Sequence, residues 1–93
     1  MNNPVTDEPA RSRYELTLPG GIAFIDYQKL GKRRVLTHVE VPPALRGHGV
    51  AAELTAGALA LVRAHGEQVE ARCPYVARFI ASNAQYQDLL IAP

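Results

Sequence analysis

Apolar and polar positions alternate through the first half of the chain and recur at helical spacing in the second. Tyr14-Glu-Leu-Thr-Leu18 puts Tyr14, Leu16 and Leu18 on one face, the signature of a half-buried strand. Pro19-Gly20-Gly21 reads as a turn, and Ile22 to Gln28, rich in Ile, Phe and Tyr, as a second strand. Leu30-Gly31-Lys32 turns the chain again. Arg33 to Val41 then predicts a third strand, with Val35, Thr37, Val39 and Val41 on one face and Arg34, Leu36, His38 and Glu40 on the other. Strands joined by short glycine turns imply an antiparallel meander.

Pro42-Pro43 ends the third strand, because proline cannot donate to a ladder. The spacing predicts a helix from about Gly49 to His65, with Val50, Ala51, Leu54, Ala58, Leu61 and Val62 as its apolar stripe. Gly66 is its expected stop. Val69 to Cys73 reads as a strand, and a strand–helix–strand passage favours parallel pairing with the third strand. Pro74 suits the first turn of a second helix, Tyr75 to Ser82, with Phe79 and Ile80 on its core side. Ala84 to Leu90 fits either a last helical turn or a strand-like tail. Met1 to Ser12 is polar and reads as a flexible N-terminal tail, leaving residues 13–93 as one domain. The fold class is α/β, of the α+β type: a three-stranded meander, then a β-α-β unit and a C-terminal helix.

Composition narrows the functional classes. Hydrophobic residues make up 47% and charged residues 20%, ordinary for a globular domain. A net charge of +1 gives no electrostatic case for nucleic-acid binding. No apolar run is long enough to span a membrane, and no secretory leader or lipidation pattern is expected at the N-terminus. A single cysteine, Cys73, excludes an internal disulfide; a reducing, cytoplasmic setting is expected. The basic run from Lys29 to Arg34 reads as a solvated face.

The chemistry concentrates between the third strand and the long helix. Arg46, Gly47, His48 and Gly49 form a short loop that leads straight into a helix start. Amides in a helix's first turn have no internal partner, and the dipole favours negative charge there. Gly47 and Gly49 permit a tight turn and keep side chains away from a bound phosphate.

These residues resemble the GCN5-related N-acetyltransferases, and in particular their minimal single-domain branch of roughly one hundred residues. The resemblance rests on Arg46-Gly47-His48-Gly49-Val50-Ala51, Thr37-His38-Val39-Glu40-Val41-Pro42, Cys73-Pro74-Tyr75-Val76 and Tyr86-Gln87-Asp88-Leu89. It implies a mixed sheet with the third and fourth strands splayed apart, and acetyl-coenzyme A as co-substrate, with no metal. The loop from Arg46 through Gly47, His48, Gly49 and Val50 to Ala51 would hold the diphosphate, and the backbone of Val39 to Val41 the pantetheine arm. Among the cofactor-site positions, Asn83 and Tyr86 match those where larger relatives carry an asparagine that contacts the cofactor and a tyrosine that protonates the leaving thiolate; Tyr86 reads equally as a packing residue with a satisfied hydroxyl. An amine acceptor would attack the thioester directly, with a main-chain N–H stabilising the oxyanion. The first helices and long C-terminal strands of larger relatives have no counterpart in this sequence, so the acceptor side is expected to be either open enough for a protein or peptide end or too incomplete for efficient catalysis.

The attacking amine must be neutral, so a base is needed. His38 and Glu40, on one strand face, are the candidates; Glu40 alternatively orients His38 or pairs with Arg34. Cys73 ends the fourth strand beside the expected thioester, either as a nucleophile made reactive by the helix start or as a small buried hydrophobe. Tyr75 and Phe79 read as core or pantetheine-wall residues. Two other functions fit the same pattern: a non-catalytic coenzyme A or acyl-coenzyme A binding module, and a small protein-interaction domain.

Overall fold

The computed structural model describes residues 4–91. Five strands form one sheet in chain order: β1 (Thr6–Glu8), β2 (Arg13–Leu18), β3 (Gly21–Leu30), β4 (Arg33–Glu40) and β5 (Gln68–Ala71). Neighbours from β1 to β4 pair antiparallel, and β5 runs parallel to β4. The parallel step is made by α1 (Val50–Ala64), and α2 (Pro74–Ser82) follows β5. This is the α/β architecture expected, with the meander and the β-α-β unit in place.

The N-terminus departs from expectation. Of the segment read as a flexible tail, Met1–Asn3 lie outside the described residues, while Thr6–Glu8 form the edge strand β1 against Arg13–Glu15. Val5 packs against the core, over Gly57 of α1. A Cβ at Gly57 would collide with Val5 Cγ2, so this helical glycine makes room for the first strand. A three-residue strand with one apolar neighbour carries too little pattern to be read from sequence.

One continuous core joins Leu16, Ile25, Leu36 and Val69 of the sheet to Val50, Leu54, Leu59 and Val62 of α1 and Val76 and Ile80 of α2. Thr55 is also buried, and its hydroxyl is satisfied by the Ala51 carbonyl at 2.7 Å. Gly66, at φ 67°, ends α1 as expected: the Gly66 N–H meets the Arg63 carbonyl and the Glu67 N–H the Val62 carbonyl. After α2, Ala84–Leu89 form a 3-10 helix, and Leu90 then bridges to Val69. The C-terminal segment thus takes both alternatives in turn. Arg63 clamps it, donating to both Asp88 carboxylate oxygens and to the Gln85 carbonyl.

The faces of β4 also differ from simple alternation. Asp26 pairs with His38 but Tyr27 pairs with Leu36, so Thr37 is an extra residue, and its hydroxyl bonds the Asp26 carbonyl at 3.2 Å. This bulge reverses the faces beyond it. Arg34 and Leu36 therefore share the core face with Val39, whose partner is Ile25. His38 and Glu40 go to the reverse face, opposite Asp26 and Phe24. Arg34 and Glu40 consequently point away from each other and do not pair.

Arg34 corrects the reading of its basic run as solvated. Its side chain is 4% exposed and lies on the core face. It reaches Glu67 at 3.0 Å, Asp7 at 3.3 Å and the Tyr14 hydroxyl oxygen at 3.2 Å, and it stacks 4.5 Å from the Tyr27 ring centre. Tyr27 in turn donates to Asp7 at 2.6 Å. Burial, then the Asp7 hydrogen bond, push the Tyr27 phenol up to about 12, and burial raises Tyr14 as well. A raised phenol contributes stability that is fully present below its unfolded value of 10.0 and is lost as pH rises toward about 12. Melting temperature should therefore fall between those pH values, and in a Tyr75→Phe, Tyr86→Phe background tyrosinate absorbance should appear together with unfolding. Tyrosinate formed in a protein that still melts at its neutral-pH temperature would contradict this.

Candidate functional site

The site is built where β4 parts from β5. Their pairing runs only from Arg33 to Leu36, after which the Leu36 carbonyl accepts from the Arg72 and Cys73 amides and the strands diverge. β4 continues to Glu40 paired with β3 alone. Pro43–Leu45 make a single 3-10 turn and deliver the chain to Arg46.

Gly47 and Gly49 both take positive φ, 83° and 75°, the left-handed region that other residues enter only with strain. Gly49 is the N-cap of α1, and no side chain caps the first turn. A Cβ at either glycine would meet nothing within 4 Å, so the loop backbone faces open space. That space is a cleft of about 180 Å³ lined by Val41, Leu45, Arg46, Gly47, Gly49, Val50, Ala51, Ala52 and Tyr75. It has the chemistry an anion with an apolar arm requires: unpaired amides and the positive end of a helix at one wall, aliphatic and aromatic carbon at the others.

The structure thus gathers six of the residues expected to hold the cofactor: Val41, Arg46, Gly47, Gly49, Val50 and Ala51. Val39, His48, Asn83 and Tyr86 stand outside the lining. Val39 packs against the core, and His48 is exposed at the loop tip. Asn83 ends α2, its side-chain amide donating to the Phe79 carbonyl at 2.7 Å. Tyr86 lies 5.7 Å from Phe79, which in turn stacks on Tyr75 at 6.3 Å, so an aromatic row leads away from the cleft wall. Leu45 and Ala52 complete the lining and were not anticipated. Ala52 follows the matched loop by one residue, and a small side chain in a first helical turn was the signal available for it.

The three candidate chemical groups lie apart from this lining. His38 Nε2 is 2.9 Å from Glu40 Oε1, with 57% and 42% of their side chains exposed on the reverse face of the sheet. Glu40 Oε2 lies 3.7 Å from Arg46 Nη2, and Arg46 Nε donates to the Val41 carbonyl at 3.0 Å. Cys73 is 6% exposed and belongs to the core, while its amide sits at the fork of β4 and β5. Among the described residues, no three His, Cys, Asp or Glu side chains converge to hold a metal ion.

The sequence profile of the GCN5-related N-acetyl-transferase family matches residues 13–89. The chain belongs to that family. It is 39% identical to Protein NATD1 of Bos taurus over 68 residues, which cover 72% of this chain and 60% of the relative. The Homo sapiens protein of the same name is 37% identical over the same shares. The Danio rerio protein is 31% identical over 88 residues, covering 91% of this chain and 80% of its own length. Matching residues thus span about 60% of the bovine and human relatives. The solution structure of a GCN5-like protein from Staphylococcus aureus superimposes with a TM-score of 0.71 at 18% identity, over 99% of this chain and 91% of that one. The family fold is therefore shared across the whole described chain, although the sequences have diverged widely.

Proposed function

We propose that the chain binds acetyl-coenzyme A in the cleft at the start of α1 and transfers its acetyl group to an amine acceptor. The observation that carries this reading is the uncapped first turn of α1 behind two left-handed glycines, opening into a largely apolar cleft. The amides from Gly47 to Ala51 would hold the diphosphate, and Val41, Leu45 and Tyr75 would wall the pantetheine arm. Co-substrate binding brings a thioester to the fork of β4 and β5. The acceptor reaches that fork from the reverse face of the sheet, where His38 takes the proton from the amine nitrogen and Glu40 holds the imidazole in place.

A second reading, a non-catalytic coenzyme A or acyl-coenzyme A binding module, is supported by one observation: His38, Glu40 and Cys73 are all absent from the cleft lining. Two measurements separate the readings. Coenzyme A at 100 times its Kd should add about 2.7 kcal/mol of stability, raising the melting temperature by about 10 °C or more. Unchanged melting would leave only an interaction domain. Mass spectrometry of an amine and peptide panel incubated with acetyl-coenzyme A should then show an acetylated product; stabilisation without product would establish the binding module.

A further inference from the structure

Arg46 holds two positions at once. It lines the cleft, and its side chain also reaches back to the end of β4. Its Nε bonds the Val41 carbonyl at 3.0 Å and its Nη2 faces Glu40 Oε2 at 3.7 Å. The Nε–Nη2 edge is one of the two forks through which a guanidinium grips a phosphate. In this arrangement Nε is taken by a carbonyl on the backbone along which the proposed thioester arm lies, and Nη2 is turned toward the carboxylate. The second oxygen of the same carboxylate holds His38 Nε2 at 2.9 Å. One carboxylate therefore stands between a residue of the cleft lining and the proposed base.

We propose that Arg46 is a latch across the cleft mouth that the co-substrate's diphosphate opens, and that Glu40 is the positioning residue that keeps it shut. The inference rests on the reading above and deepens it. A diphosphate seated on the α1 amides carries more charge than one carboxylate and offers the fork closer oxygens than the 3.7 Å contact to Glu40 does. Arg46 swings to it, the Val41 carbonyl is released to the pantetheine arm, and Glu40 is left to His38 alone. Filling the cleft thereby changes the partner set of the base. The side chains of Arg46 and Glu40 are 61% and 42% exposed, so the latch is weak enough to open on binding.

The latch predicts that removing a carboxylate improves binding, and only through Arg46. Coenzyme A titrated calorimetrically into Glu40→Gln should bind about two- to fivefold more tightly than to the wild-type chain, the weight of an exposed ion pair. Arg46→Met should bind about tenfold more weakly. In the Arg46→Met background, Glu40→Gln should change nothing, because the pair acts as a unit. If Glu40→Gln tightened binding equally in both backgrounds, Glu40 would act by direct repulsion of the phosphates and the latch would be refuted. No tightening in the wild-type background would refute it as well. If the wild-type chain bound no coenzyme A, the functional reading would fail and the latch with it, an outcome separate from either of these.

Discussion

Arg34→Met should lower folding stability by about 3–5 kcal/mol, the cost of leaving buried partners without their counter-charge. For a domain of this size that corresponds to a fall in melting temperature of at least about 12 °C. The loss comes from what the substitution leaves behind. Glu67 is 9% exposed and would lose its only ion-pair partner among the described residues; Asp7, 17% exposed, would keep the Tyr27 hydroxyl. Arg34→Lys keeps a charge but not a fork able to reach Asp7, Tyr14 and Glu67 together, so it should fall between. Adding Glu67→Gln to Arg34→Met should recover part of the loss, since the stranded charge is then gone. Circular dichroism melts of the set decide it. A loss under about 1 kcal/mol for Arg34→Met would show that the cluster is solvated and worth no more than a surface pair.

That cluster also marks where sequence reading stops. The glycine loop, α1, its Gly66 stop and the proline at the start of α2 were legible because each depends on residues within a turn of one another. Pattern and chemistry agree there, as they do for the alternating β2 and the aromatic-rich β3. The Arg34 cluster joins residues 27 and 33 positions apart, and nothing near Arg34 in sequence distinguishes it from exposed neighbours such as Lys29. β1 was unreadable for the same reason: Asp7 is polar, and only the buried guanidinium makes its place in the sheet favourable. The Thr37 bulge is a second kind of failure. Strict alternation predicts that His38 shares a face with Leu36, and one extra residue overturns it while leaving every local preference intact. The pairing of His38 with Glu40 survives because both lie beyond the bulge.

The candidate site divides along the same line. Its glycine loop is local, so five residues named from that motif, Arg46, Gly47, Gly49, Val50 and Ala51, lie together in the cleft. Its chemical half depends on how two strands diverge, and there the sequence names residues without placing them. Cys73 shows the difference. Its position after β5 suggested a thiol facing the thioester, whereas the fork turns its amide to Leu36 and its side chain into the core. Packing suffices to explain a small apolar residue at that point.

His38→Ala should lower kcat by about 10²–10⁴-fold, the range a positioned general base supplies, and should leave the KM for acetyl-coenzyme A nearly unchanged. The separation follows from geometry. His38 lies outside the cleft lining, on the reverse face of β4, so its removal takes nothing from the walls proposed to hold the co-substrate. Folding should be unaffected, because its side chain is 57% exposed and changes at such sites stay within about 0.5 kcal/mol. Added imidazole should restore part of the rate, which a purely structural histidine would not allow. Cys73→Ala is the matched control: it should cost stability through lost core contacts and keep kcat within about a fewfold of wild type. A full rate in His38→Ala with a lost rate in Cys73→Ala would move the chemistry to the thiol. Full rates in both would assign proton removal to Glu40 or to solvent.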